Sequence, residues 1–203
     1  IGSMGMVLVS IALFTPEGIA AALYYIVHST LAGAALFLIV DLVRCGRRNL
    51  DLTTQPPVAG ATLTAGLYFV GAIAMAGLPP LSGFLGKLLV LDAAFGSELM
   101  VWIWVIVLGS SLISIVGFAR AGSIVFWKAQ SVEPEETDAQ TTPATMSYVA
   151  VGGLITLLAV HTVFAGQVHG FTTKVAAQLF APGPYISTVV DTPGKLSEPS
   201  EDH

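Results

Sequence analysis

Charged residues divide this chain into long apolar runs. No charge falls between Glu17 and Asp41, between Glu98 and Arg120, or between Asp138 and Lys174, and between Asp51 and Asp92 there is only Lys87. Each interval is about the ~20 residues that cross a hydrocarbon core. The pattern predicts five membrane segments. Segment A is the apolar stretch 1–14, too short to span, closed by the turn Thr15-Pro16. Segment B runs from about 17 to 43, with Pro16 and Glu17 suited to a helix start. Segments C, D and E cover about 62–95, 100–127 and 146–164. Residues 170–190 are expected to form an interfacial helix and then an extended stretch, and the polar end from 191 a disordered tail. The fold class expected is all-α, a polytopic transmembrane helix bundle, and the chain is expected to be the C-terminal part of a longer polytopic protein.

Composition agrees with this. The chain is 54% hydrophobic and 10% charged, against roughly 25% charged in soluble domains. The acids gather in the loop 131–145 and the tail, so a net charge of −5 does not point to nucleic acid as a partner. The domain division expected is membrane helices over 1–128, an acidic cytoplasmic linker over 129–145, the last membrane helix and an interfacial segment over 146–190, and the tail over 191–203. Basic residues set the orientation. Arg44, Arg47 and Arg48 follow segment B, and Arg120 and Lys128 close segment D two crossings later. Both clusters are therefore expected in the cytoplasm, with the C-terminus outside.

Segment C carries an anomaly. Within MAGLPPLSGFLGK, residues 75–87, two adjacent prolines are flanked by Gly77 and Gly83 and followed by Lys87. Proline removes a backbone donor and clashes with the preceding turn. Pro79 and Pro80 should therefore interrupt the helix. The carbonyls this frees must be buried in protein or line a hydrated cavity, as in the discontinuous helices of ion transporters. Lys87 lies seven residues beyond Pro80, near mid-depth, where a cation costs a few kcal/mol at least. A lysine there, able to be charged or neutral, is a candidate proton-relay group; the plainer reading is a lysine that snorkels to an interface.

His28 is the second ionisable group inside a segment, read either as a relay or as a structural hydrogen-bonder. Asp41 is expected to pair with Arg44 at the cytoplasmic end, with the mouth of an entry path as the rival role. Ser110, Ser111 and Ser114 form a polar stripe that could hold water, although serines bonding their own backbone are commoner. His161 is a weaker relay candidate. Tyr24, Tyr25, Trp102, Trp104, Phe126 and Trp127 read as aromatic belt or packing. No histidine or cysteine stands at metal-ligand spacing from His161 or His169. Nucleophile, nucleotide-binding and iron–sulfur motifs are absent, so no catalytic residue, metal or cofactor is expected.

The stretches AGLPPLSGFLGKLLVL and LYYIVHSTLAGAALFLIVDLV resemble the second discontinuous helix and the preceding histidine-bearing helix of the antiporter-like membrane subunits. That family includes the large subunits of multisubunit monovalent cation/proton antiporters and the proton-pumping subunits of respiratory complex I. With the closing VFAGQVHGFTTKVAAQLFAPGPYI, the chain is similar to the C-terminal part of the D-type subunits of Mrp-type (Pha-type) antiporters. The resemblance implies two inverted repeats, each with one broken helix, and places Lys87 and His28 on a central hydrated axis. Some relatives carry a lysine four residues after this histidine, where Ala32 stands here. Water or another side chain would then have to join His28 to Lys87. The implied protein is a secondary transporter subunit of the cell membrane rather than an enzyme. Its partners would be the other subunits of a hetero-oligomeric complex, with protons and a monovalent cation such as sodium as cargo and lipid around it. A proton-pumping subunit of an NADH–quinone oxidoreductase is the alternative.

Overall fold

The computed structural model describes residues 2–45, 47, 51–57, 60–132 and 143–191, and these are helical apart from turns and loops. In chain order the helices are α1 (Gly2–Ile11), α2 (Pro16–Cys45), α3 (Ala61–Ala76), α4 (Ser82–Ala93), α5 (Met100–Gly122), α6 (Thr145–Val163), α7 (Ala165–Leu179) and α8 (Gly183–Asp191). A π-helical turn, Ser123–Trp127, and a 3-10 turn, Lys128–Ser131, prolong α5. Among the described residues three helices are long and apolar enough to cross a membrane: α2, α5 with its two turns, and α6. The acidic linker lies mostly outside the described residues, as do Arg48 and the tail beyond 191.

The bundle is built around α2, which packs against α1, α3, α4, α6 and α7. Its small residues explain why so many neighbours fit. Ala20, Ala21, Ala22, Ala32 and Ala35 are buried, and small side chains let helix backbones approach where hydrophobic exclusion of water supplies no drive. Neighbouring helices answer in kind. A Cβ on Gly71 of α3 would meet Leu36, and one on Gly86 of α4 would stand 2.7 Å from the ring of Tyr25. The sealing of α2 decides between the two readings of Tyr24 and Tyr25: they are fully buried in the bundle, as packing residues and not in a lipid-facing belt. Trp102 and Trp127 of α5 and its extension are exposed, as an aromatic belt requires.

Contacts fix how the ends align. Ile39 and Leu42 of α2 cluster with Val151 of α6, and Tyr68 of α3 packs on that cluster. The Tyr68 hydroxyl donates to the Phe118 carbonyl of α5 at 2.8 Å. The C-terminal ends of α2 and α5 therefore share one end of the bundle with the N-terminal ends of α3 and α6. This is also the end bearing Arg44 and Arg120, and Arg44 pairs with Asp41 at 3.1 Å in an exposed position. Running the other way, Leu158 meets Ala32 and His161 meets Tyr24. Past Phe164 the chain continues as α7, still against α2.

Beyond α7, where an extended stretch is expected, the chain instead forms the helix α8. Its first turn is closed by Ile186 N–H on the Pro182 carbonyl at 2.9 Å. Proline near a helix start costs no hydrogen bond, and β-branched residues lower helix propensity only slightly.

Candidate functional site

Segment C is two helices with a gap. α3 stops at Gly77, whose φ of 75° is left-handed. There Leu78 N–H bonds the Ile73 carbonyl at 3.1 Å and Gly77 N–H the Ala74 carbonyl at 3.2 Å, the pairing that closes a helix at glycine. Pro79 and Pro80 then forbid continuation, and α4 starts at Ser82 from an extended Leu81. Neither terminus is left bare. At the start of α4, the Ser82 N–H donates to Thr162 Oγ1 of α6 at 3.0 Å. At the end of α3, the Ala76 carbonyl accepts from Lys87 Nζ at 2.6 Å.

Lys87 thus turns back from α4 to the C-terminal end of α3. A cation is favoured there, because the unpaired carbonyls of a helix end carry partial negative charge. Its Nζ also donates to Ser111 Oγ of α5 at 2.8 Å, and Ser111 donates on to the Val107 carbonyl at 2.7 Å. Lys87 is buried, so it does not snorkel to either end of its helix. Gly77 makes this route possible. A Cβ at Gly77 would lie 2.6 Å from Lys87 Cδ and 2.8 Å from Nζ, so glycine is needed both for the backbone turn and for the passage of the lysine.

His28 reaches the other lip of the gap. Its Nδ1 is 2.9 Å from Ser82 Oγ, and its Nε2 faces the Ala74 carbonyl across Gly83 without completing a hydrogen bond to it. A Cβ on Gly83 would be 2.0 Å from that carbonyl and 2.7 Å from Nε2. Lys87 and His28 therefore bracket the break from opposite sides. At Ala32 the side chain is packed against Ala74 and Leu158.

The remaining candidates separate. A cavity of about 350 Å³ is bordered by Lys87, Ser110, Ser114, Tyr25, Val40 and Phe118 among others. It runs from Lys87 toward the end that carries Arg44 and Arg120. Ser110 and Ser114 bond carbonyls of their own helix, Val107 and Ser110. Asp41 lies at the exposed end, away from the gap. His161 is buried on α6 with its ring 4.6 Å from that of Tyr24. Sequence reasoning passed over Ser82 and Thr162. A hydroxyl of no special motif becomes visible only when its facing helix is known. Thr162→Val, nearly isosteric, removes the acceptor for the Ser82 N–H. It is expected to destabilise the full-length protein by about 1 kcal/mol, read from reversible unfolding in mixed micelles; unchanged stability would mean that the Ser82 N–H finds another partner.

Residues 1–114 match the transmembrane family described as NADH:quinone oxidoreductase/Mrp antiporter. The chain is 28% identical over 195 residues to the D subunit of the Na(+)/H(+) antiporter of Alkalihalophilus pseudofirmus, covering 94% of this chain and 38% of that protein. It is 29% identical over 196 residues to the protein of the same description in Bacillus subtilis, again 94% and 38%. Against the N subunit of the NADH-quinone oxidoreductase of Granulibacter bethesdensis it is 33% identical over 159 residues, 76% of this chain and 32% of that protein. Among solved structures, the Mrp complex of a Dietzia species has a chain that superposes with a TM-score of 0.73 at 24% identity, over 92% of this chain and 42% of that one. The chain thus spans about two-fifths of the length of the curated antiporter subunits it matches.

Proposed function

This chain belongs to the NADH:quinone oxidoreductase/Mrp antiporter transmembrane family, and on that premise we propose that it is part of a membrane subunit of a multisubunit Na+/H+ antiporter. Protons are carried through its helix break by Lys87 and His28, and the subunit is a secondary transporter of the cell membrane, assembled with other antiporter subunits. The observation that supports this most is the seat of Lys87: a buried ammonium bonded to Ala76 and Ser111 at the end of a helix stub, beside a cavity. A lysine meant only to pack would leave a costly charge there for nothing.

Each element of the break has a role in this reading. Pro79 and Pro80 free the backbone groups, Gly77 turns the chain, and Gly83 lets the Ala74 carbonyl and His28 come together. The cavity serves as the approach to Lys87 from the basic end, which is cytoplasmic by the positive-inside rule, and the C-terminus then lies outside. Asp41 belongs to that end as an interface pair with Arg44. Ser111 carries the hydrogen-bond link from Lys87 into α5, while Ser110 and Ser114 offer hydroxyl oxygens to water in the cavity. Water or Ser82 replaces the lysine that Ala32 does not supply.

A complex I-type proton pump is the second reading, favoured by the 33% identity to an N-type subunit. The D-type antiporter relatives align over 94% of the chain and that N-type subunit over 76%, which favours the antiporter. The test is cation/proton exchange in membrane vesicles bearing the full-length protein in its assembled complex. His28→Gln, which keeps a group able to bond Ser82 but cannot carry a proton, is expected to slow exchange about tenfold. Exchange at the parental rate would remove His28 from the path.

A further inference from the structure

The cavity that Lys87 borders measures about 350 Å³, within the range of small-molecule sites. Its wall is mainly carbon, contributed by Leu36, Phe37 and Val40 of α2, Met75 of α3 and Phe118 of α5. Lys87 belongs to one end, beside Tyr25, whose ring packs on Gly86. From Tyr25 to Val40 the lining follows α2 for about four turns, roughly 22 Å at the rise of an α-helix. The cavity is therefore long as well as apolar. It is also open at the side. Phe37 and Val40 line it and are yet 80% and 50% exposed, so among the described residues it reaches the apolar outer flank of α2.

Lys87 brings to this space a charge that its partners do not offset. An ammonium has three donors. Two are given to the Ala76 carbonyl and to Ser111 Oγ, and both acceptors are neutral. Among the described residues the third donor has no acceptor, and the one ion pair, Arg44 with Asp41, lies at the exposed end. A cation withdrawn from water is stabilised chiefly by an anion beside it. Water supplies an acceptor but no charge, and an apolar wall holds it poorly. The occupant that answers both demands carries a negative head and a single apolar chain.

We propose that the cavity binds a single-chain amphiphilic anion of the fatty-acid class, which enters from the bilayer past Phe37. Its head takes the third donor of Lys87, and its tail lies along Leu36, Val40 and Phe118. The site stands on the seat of Lys87 and the shape of the cavity. Its consequence, that the bound anion stops exchange, rests on the relay reading of Lys87. The head holds the ammonium where it is, and the tail fills the space through which that reading brings protons to it.

The probe is decyl sulfonate, whose head stays ionised, so that unlike a fatty acid it cannot ferry protons across a vesicle. The full-length protein in its complex, in membranes, is labelled with an analogue bearing a photoreactive diazirine in the tail, and the peptides are read by mass spectrometry. Label is expected on residues 36–40 or at Phe118, displaced by decyl sulfonate and not by decyltrimethylammonium. Lys87→Ala is expected to lower it about tenfold or more, whereas Lys87→Arg keeps it because the charge remains. Gly33 lines the cavity, and only Met75 Cε, at 3.8 Å, stands near a Cβ there. Gly33→Leu therefore has room to fill the cavity and is expected to lower the label as well. In vesicles of the parental complex, decyl sulfonate is expected to inhibit exchange and decyltrimethylammonium is not. Label that both compounds displace equally, label unchanged in Lys87→Ala, or label confined to other surfaces overturns the site. Displaceable label with exchange unimpaired at saturation overturns the block. If Lys87→Ala exchanges at the parental rate while decyl sulfonate still displaces the parental label, the relay reading falls and the site stands. If Gly33→Leu does not assemble, the two Lys87 variants carry the decision.

Discussion

Lys87→Ala in the full-length protein is expected to reduce cation/proton exchange about a hundredfold or more, the scale of losing a group that transfers protons, while assembly persists. The loss follows from what Nζ alone does. It is the group at the break that can both release a proton and stabilise the Ala76 carbonyl when charged. Alanine leaves that carbonyl without its charged donor. Lys87→Arg separates two roles. A guanidinium keeps the cation at the end of α3 but is not deprotonated in proteins. It is expected to assemble and fail to exchange. Full exchange in the alanine variant would make the break a structural feature of a scaffold, and full exchange in the arginine variant would assign Lys87 an electrostatic role without proton transfer. Vesicle exchange with subunit content measured in the same membranes reads both variants.

Gly83→Ala is expected to have the largest effect on stability. The new Cβ would stand 2.0 Å from the Ala74 carbonyl oxygen, 2.7 Å from His28 Nε2 and 2.9 Å from Cε1. A flexible side chain could yield, but the nearest atom is backbone. Ala74 also accepts from Gly77 in the bonds that close α3, so moving it opens the helix end on which Lys87 depends. A cost of about 3 kcal/mol or more follows from overpacking at a site that cannot relax, enough to remove most folded protein from the membrane. Gly117→Ala is the matched control. Nothing lies within 4 Å of its Cβ position, and alanine suits a helix interior better than glycine by about 0.5–1 kcal/mol. Protein content in membranes and thermal stability in detergent should separate the two. Equal levels would mean that α3 and α4 can part without harm.

Much of this arrangement is legible in the residues. Long uncharged runs locate α2, α5 and α6 because a hydrocarbon core tolerates nothing else. The double proline with Gly77 locates the gap because two missing donors cannot be absorbed by one helix. The position of Lys87 after the gap gives its depth. Direction is what the sequence withholds. Lys87 turns back to Ala76 and across to Ser111, and no spacing rule encodes that choice. Tyr24 and Tyr25 look like belt residues near a segment end, yet α2 is enclosed by five neighbours. His161 seems isolated in sequence because its partner ring is brought to it by the antiparallel run of α6 along α2. Ser82 and Thr162 belong to no motif at all. Each gains its role from the helix it happens to face.

The cap that α6 places on α4 also sets an order of events during synthesis. When α4 is made, Thr162, the group that receives its Ser82 N–H, is still to be translated. Ser111 of α5 arrives first, so the lysine side of the gap can close while the histidine side stays open. Only when α6 has threaded back along α2 do Thr162 and His161 come into place. The gap between α3 and α4 is therefore among the last parts of this bundle to be completed, and a nascent chain that stalls before α6 holds a broken helix that is only half mended.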